Sequence, residues 1–172
     1  MTAAYTSAQY DAGECPPAGS VYYDEATGKK YIFLENVSAT TEAQEAVCIS
    51  DASAWQVTPN STLNKQFAGV RVVGATDLAD TEYGWFQIGG NATMIYGDTA
   101  QAVVSGSGVV LDDDSDTGRI GGVIPSVSTG VDAATLTLAL KSIEGVFGIA
   151  QASVSTTDAD VEVQLVTNVW GV

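Results

Sequence analysis

The residues best equipped for chemistry in this chain are carboxylates. The longest acidic run is Asp112-Asp113-Asp114-Ser115-Asp116-Thr117-Gly118. Asp112, Asp114 and Asp116 alternate as the first ligands of a calcium loop do, with oxygens at successive odd positions around one cation. The rest of such a loop is missing. The turn glycine falls one position late, at Gly118, and Val123 stands where a bidentate glutamate is needed. The run reads as a solvated acidic turn, and no metal ligand is assigned. Glycoside hydrolysis would need two carboxyl groups placed across a sugar. Asp112, Asp116, Glu82 and Glu144 are available, but their spacing singles out no pair. Trp55, Trp85 and Trp170 could stack on a sugar; tryptophans of a small β-domain serve equally as core or interface residues.

The sequence contains no histidine. That removes Ser-His and Cys-His nucleophiles and imidazole metal ligands together. There is no Gly-x-x-x-x-Gly-Lys-Ser/Thr run to cradle phosphates. Gly89-Gly90 and Gly121-Gly122 follow strand-like runs, but neither leads into the helical pattern that a dinucleotide fingerprint requires. Cys15 and Cys48 fit neither a redox Cys-x-x-Cys pair nor a zinc knuckle. Cys48, within Val47-Cys48-Ile49, reads as a small core residue. A bridge to Cys15 would require the fold to bring their Cα atoms close. The expectation is a protein with no catalytic residue, no cofactor and no metal site.

Charge narrows the partners. Six basic residues face 21 acidic ones, a formal net charge of −15. Such a surface repels nucleic-acid phosphates and anionic membranes. It keeps a protein soluble at high local concentration and also suits docking on a more basic surface. No stretch approaches the roughly 20 apolar residues of a membrane span. Met1 to Gly13 lacks the basic and apolar regions of a secretory signal, so the Asn-x-Ser/Thr triplets at Asn36, Asn60 and Asn91 read as turn composition.

The elements that must position any site are strands. Of the 172 residues 45% are hydrophobic and 16% charged, with 18 glycines, a composition for a folded chain of short strands and tight turns. Residues 1–20 read as an extended arm ending in Cys15-Pro16-Pro17-Ala18-Gly19, either frayed or laid on a neighbouring subunit with Tyr5 and Tyr10 as interface anchors. Residues 21–172 read as one β-rich domain, or two small lobes divided near residue 60. Val21-Tyr22-Tyr23 and Lys30 to Leu34 predict a hairpin turning at Gly28. Ser38 to Ala46 is a short helix, turn or loop, with Thr41 and Gln44 able to form a capping box. Strands are expected at Val47–Ser50, Ala54–Thr58, Phe67–Val73 and Tyr83–Ile88, the last stopped by Gly89-Gly90. Thr93–Tyr96 is expected to pair with Ala102–Val104. Val109–Leu111, Arg119–Ile124 and the alternating Thr135–Leu140 follow, and Gly145–Ala150 pairs with Val161–Val166.

One internal echo runs through this pattern. Ala68-Gly69-Val70, an acidic loop and Trp85-Phe86-Gln87-Ile88 form one unit; Phe147-Gly148-Ile149, a second acidic loop and Glu162-Val163-Gln164-Leu165 form the other. Duplication, two equivalent hairpins of one barrel, or chance in a β-rich chain would each produce it. Strand spacing suits an antiparallel β-barrel or sandwich in every case.

Ala68-Gly69-Val70-Arg71-Val72 with Tyr83-Gly84-Trp85-Phe86-Gln87-Ile88-Gly89-Gly90 resembles a segment of the small head decoration, or cement, proteins of tailed bacteriophages. The hairpin with Gly28, Lys29, Tyr31 and Phe33, and the closing Gly148-Ile149-Ala150 and Val161 to Leu165, are similar to the entry and final strand pairs of such proteins. The resemblance touches about two-thirds of the chain. It implies a tulip-like β-barrel, often trimeric, bound outside the capsid where major capsid subunits meet, with no enzymatic activity. The expected partners are the major capsid protein and the chain itself, without nucleic acid or membrane. The alternatives are a receptor- or carbohydrate-binding module of a phage fibre or tail, and another assembly subunit such as a tail-tube or connector protein.

Overall fold

Period-two alternation of apolar residues places one face of each strand in a core, and closing a sheet on itself removes its exposed edges. Both rules operate here. The computed structural model describes residues 1–59, 66–97, 102–111, 118–122, 146–156 and 158–166. The chain opens with a short helix, Ser7–Asp11 (α1). Val21–Asp24 (β1) and Lys29–Asn36 (β2) form the expected hairpin, Val21 opposite Ile32 and Asp24 opposite Lys29. Gly28 closes it at φ 68°, its amide donating to the Asp24 carbonyl at 2.8 Å.

Ala46–Asp51 (β3), Gln56–Thr58 (β4), Phe67–Arg71 (β5) and Tyr83–Ile95 (β6) follow. In the order β2-β4-β3-β5-β6 they form a sheet whose last strand pairs back with the first, from Tyr83 opposite Glu35 to Gly89 opposite Lys30. The result is a closed five-stranded barrel, antiparallel except where β4 runs parallel to β2. Ile32, Leu34, Val47, Val57, Ala68, Leu78, Phe86 and Ile88 fill it. The expected β-barrel class is therefore found.

The second half of β6 belongs to another sheet. Gly108–Leu111 (β7), Ile120–Gly122 (β8), Gly148–Ala150 (β9) and Asp160–Leu165 (β10) lie in the order β6-β10-β9-β7-β8. A parallel bridge between Ile120 and Tyr96, just past β6, brings the ends of this sheet together. Met94, Tyr96, Val103, Val109, Ile120, Phe147, Val161 and Val163 form its core. Phe67 of β5 stacks on Phe147 at 3.9 Å and 5°, joining the two sheets.

Several expectations are corrected. Gly89-Gly90 does not stop a strand; β6 runs through it for 13 residues. Gly90 takes φ 79°, and a Cβ there would lie 2.9 Å from the Gly28 carbonyl oxygen. The glycine lets one strand turn from one sheet into the next instead of ending it. The sheets thus divide at Gly89-Gly90, and the expected division near residue 60 falls inside the first sheet, between β4 and β5. Thr93 to Ile95 pair with β10, whereas Val103 bridges Val154. No helix forms over Ser38–Ala46: Thr41 bridges Leu78, and Gln44 takes φ 69° in a turn. The capping box is instead Thr6 with Gln9, at the start of α1, so the arm is not extended throughout. No disulfide joins Cys15 and Cys48, and the buried Cys48 thiol donates to the Thr58 carbonyl at 3.3 Å. No helix among the described residues is long and apolar enough to cross a membrane. The strand expected at Thr135–Leu140 lies outside the described residues.

Gly148 lies opposite Leu165 where β9 pairs with β10, and a Cβ there would strike Val163 Cγ1. Gly148→Ala is expected to cost about 1–3 kcal/mol, the usual range for overpacking a close-packed site, read as a lowered urea midpoint with an unchanged slope.

Candidate interaction surface

The strand alternation that sends Ile32, Leu34 and Phe86 into the first barrel sends Tyr31, Phe33, Tyr83 and Trp85 to its outside. These aromatics form a continuous strip. Phe33 meets Trp85 edge-on at 5.3 Å and Tyr83 nearly parallel at 6.2 Å. Tyr22 of β1 continues the strip, edge-on to Trp85 at 6.4 Å and tilted against Tyr31 at 6.3 Å. Offset and edge-to-face geometries are the favourable ones for aromatic quadrupoles.

The N-terminal arm covers the far end of the strip. Tyr5 pairs with Tyr83 as a strand would, each amide donating to the other's carbonyl at 2.9 and 2.8 Å. The Tyr5 ring stands edge-on to Phe33 at 5.8 Å. Tyr10 stacks on Tyr83 at 4.1 Å and 1°, and its hydroxyl accepts from the Ala18 amide at 3.2 Å. Both tyrosines are half-buried against their own chain. The arm folds back on its barrel, and both rings pack against their own chain.

Arg71 holds the arm from beneath. It is fully buried, and its guanidinium donates only to carbonyl oxygens: Trp85 at 3.0 Å, Thr76 at 2.7 Å, and Thr2 and Ala3 at 3.3 Å each. A buried cation needs such a complete set of acceptors. Burial pushes Arg71 down to about 10, with Asp77 and Glu82 pulling it upward. Nearby, the Asn36 side-chain amide donates to the Ala39, Leu78 and Ala79 carbonyls while its oxygen accepts from the Thr41 hydroxyl at 2.7 Å. This network pins the Leu78–Glu82 loop beside the arm.

The near end of the strip is open. Val21, Tyr22 and Tyr23 are 41, 45 and 56% exposed on β1, which ends the sheet order. Exposed aromatics on a terminal strand combine apolar area with backbone groups able to accept another strand, a pairing characteristic of interaction sites. The sequence shows these residues as β-prone, but only the fold puts them on an edge.

The other candidates are dispersed. The Glu82 carboxylate accepts from the Ala79 amide at 2.8 Å and serves the loop. Asp112, Asp114, Asp116, Glu144 and Trp170 lie outside the described residues. Trp55 is half-buried, at φ 57°, over Gly19. Among the described residues no group of three or more His, Cys, Asp or Glu is arranged to hold a metal.

Neither a protein-family model nor a curated protein sequence matches this chain. Among solved structures, it is similar to the N base of the head fibre gp8.5 of bacteriophage phi29, with 11% identity and a TM-score of 0.45 over 79% of this chain and 92% of that one.

The Tyr83 phenol is pushed up to about 12, first by burial and then by the charges of Glu35 and Tyr10. An unfolded tyrosine titrates near about 10. The folded chain therefore keeps its proton where the unfolded chain has lost it, and stability present below about pH 10 falls as pH rises toward 12. Urea unfolding across that window is expected to show this alkaline loss, and Tyr83→Phe to diminish it.

Proposed function

We propose that this chain is a non-enzymatic structural protein of a bacteriophage virion, docking on the outer capsid surface and bridging neighbouring major capsid subunits. The observation that carries the reading is the open β1 edge with Val21, Tyr22 and Tyr23 on a closed barrel scaffold. A cement protein needs a rigid body with a sticky outside, and many copies making modest contacts become collectively strong. The sequence resemblance of Ala68 to Val72 and Tyr83 to Gly90 to head decoration proteins supports the same role. The net charge of −15 favours a basic docking surface and disfavours nucleic acid and anionic membranes as partners. Association with further copies of the chain, as a trimer, belongs to this reading.

A second reading rests on the pairing of exposed Tyr22 with half-buried Trp85, whose rings could stack on a sugar. A carbohydrate- or receptor-binding module of a fibre or tail would use them so. Glycan-array binding lost in both Tyr22→Ala and Trp85→Ala would favour this reading over capsid docking.

The expected outcome for the leading proposal is saturable binding to phage heads lacking the protein, with restored resistance to heat and low osmolarity. Tyr22→Ser with Tyr23→Ser should weaken that binding by about tenfold or more, as removal of aromatic anchors does at protein interfaces. Heads whose heat resistance is the same with and without the protein would count against the role.

A further inference from the structure

The second sheet repeats the pairing scheme of the first barrel. In the first, β3 and β4 form a hairpin, β3 pairs with β5, β5 with β6, β6 with β2, and β4 closes parallel to β2. In the second, β7, β8, β9, β10 and the latter half of β6 take the places of β3, β4, β5, β6 and β2, with every direction kept. Register agrees as well. Val47 faces Gly69 as Val109 faces Gly148, Val70 faces Gln87 as Ile149 faces Gln164, and Leu34 faces Gly84 as Met94 faces Val161.

The irregular parts match too, which topology alone does not require. Asn36 receives the Thr81 amide at 2.8 Å and donates its own amide to Glu82; Tyr96 receives the Asp158 amide at 2.7 Å and donates to Ala159. Thr81 and Asp158, neither of them glycine, stand at φ 65° and 62°. The Gln44 amide donates to Arg71 and the Gly106 amide to Ala150, at φ 69° and 82°. In each turn the first amide is capped by a side chain three residues on, Glu42 by Glu45 and Val104 by Ser107. Left-handed backbone is uncommon outside glycine, so its recurrence at paired positions marks one template.

Against this agreement one difference stands out. Where barrel two packs the buried Ala150 and Val161, barrel one has Arg71 and Gly84. The exchange is complementary, since a Cβ at Gly84 would lie 2.6 Å from Arg71 Nη1. The guanidinium so admitted is the group that binds the Thr2 and Ala3 carbonyls. Tyr5 then adds beside Tyr83; the barrel-two counterpart of Tyr83 is Asp160, whose carboxylate accepts from Gln44 instead. We infer that the chain is a fused duplication of one five-stranded barrel sharing β6, and that Arg71 with Gly84 makes barrel one a receptor for an extended segment, filled by residues 2–5 of the same chain.

Thermal melts and site-resolved hydrogen exchange on the full chain test both parts. Gly106→Gln should lower the melting temperature by only a few degrees with the fold kept, because the equivalent turn of barrel one already carries a glutamine, Gln44, at φ 69°. An unfolded Gly106→Gln protein overturns the duplication. Arg71→Ala with Gly84→Val should melt above Gly84→Val alone, and the Tyr5 and Thr76 amides should exchange about tenfold faster or more while β10 amides hold their protection. Arg71→Lys, which keeps the cation and loses the planar fork, should free the same two amides. Tyr5 protection equal to the native chain in both Arg71 variants overturns the receptor.

Discussion

A β-strand has two hydrogen-bonding edges, and β6 spends both along 13 residues on two different sheets. Its first half closes one barrel between β5 and β2; its second half begins another beside β10. The turn between these duties falls at Gly89-Gly90, where a side chain would strike the β1–β2 hairpin. Everything else is positioned from this strand. It carries Phe86 inward and Tyr83 and Trp85 outward, then Met94 into the second core. A break in it would leave two half-sheets with open edges, which are liabilities for aggregation.

Burial of polar groups is the second organising constraint. Asn36 and Arg71 are enclosed, and each meets a set of backbone partners that no apolar residue could satisfy. Their partners are loop and arm segments, the parts of a small β-protein least able to hold themselves by apolar burial. These two side chains convert otherwise loose connections into fixed ones. Half-satisfied networks are destabilising, so the arrangement works only because nearly every donor finds an acceptor. Where barrel two has no arm to hold, an apolar pair fills the same place.

The aromatic strip is one apolar part of the described exterior: its far end is sealed by Tyr5 and Tyr10, and its near end opens at Tyr22 and Tyr23. Apolar area on an edge strand, set in an acidic surface, suits a partner with a basic rim and a hydrophobic centre. The strip rests on a firm base, since almost every described strand is paired on both sides.

The local content of this protein was legible in its residues. The Gly28 turn, the alternation in β2, the burial of Cys48, the pairing of β9 with β10 and the absence of imidazole chemistry follow from side-chain type, glycine freedom and period-two spacing, all of which act over a few residues. Even the echo between Gly69–Gln87 and Gly148–Gln164 was visible, though not its meaning. The passage of β6 through Gly89-Gly90, the bridge from Val103 to Val154, the return of the arm onto Tyr83 and the exposure of Tyr22 and Tyr23 were decided only by the tertiary structure. Alternation says which way a side chain points from its own strand. It does not say which edge that strand will meet, because backbone hydrogen-bonding groups are the same at every residue and the choice among partners rests on packing between segments far apart in the chain.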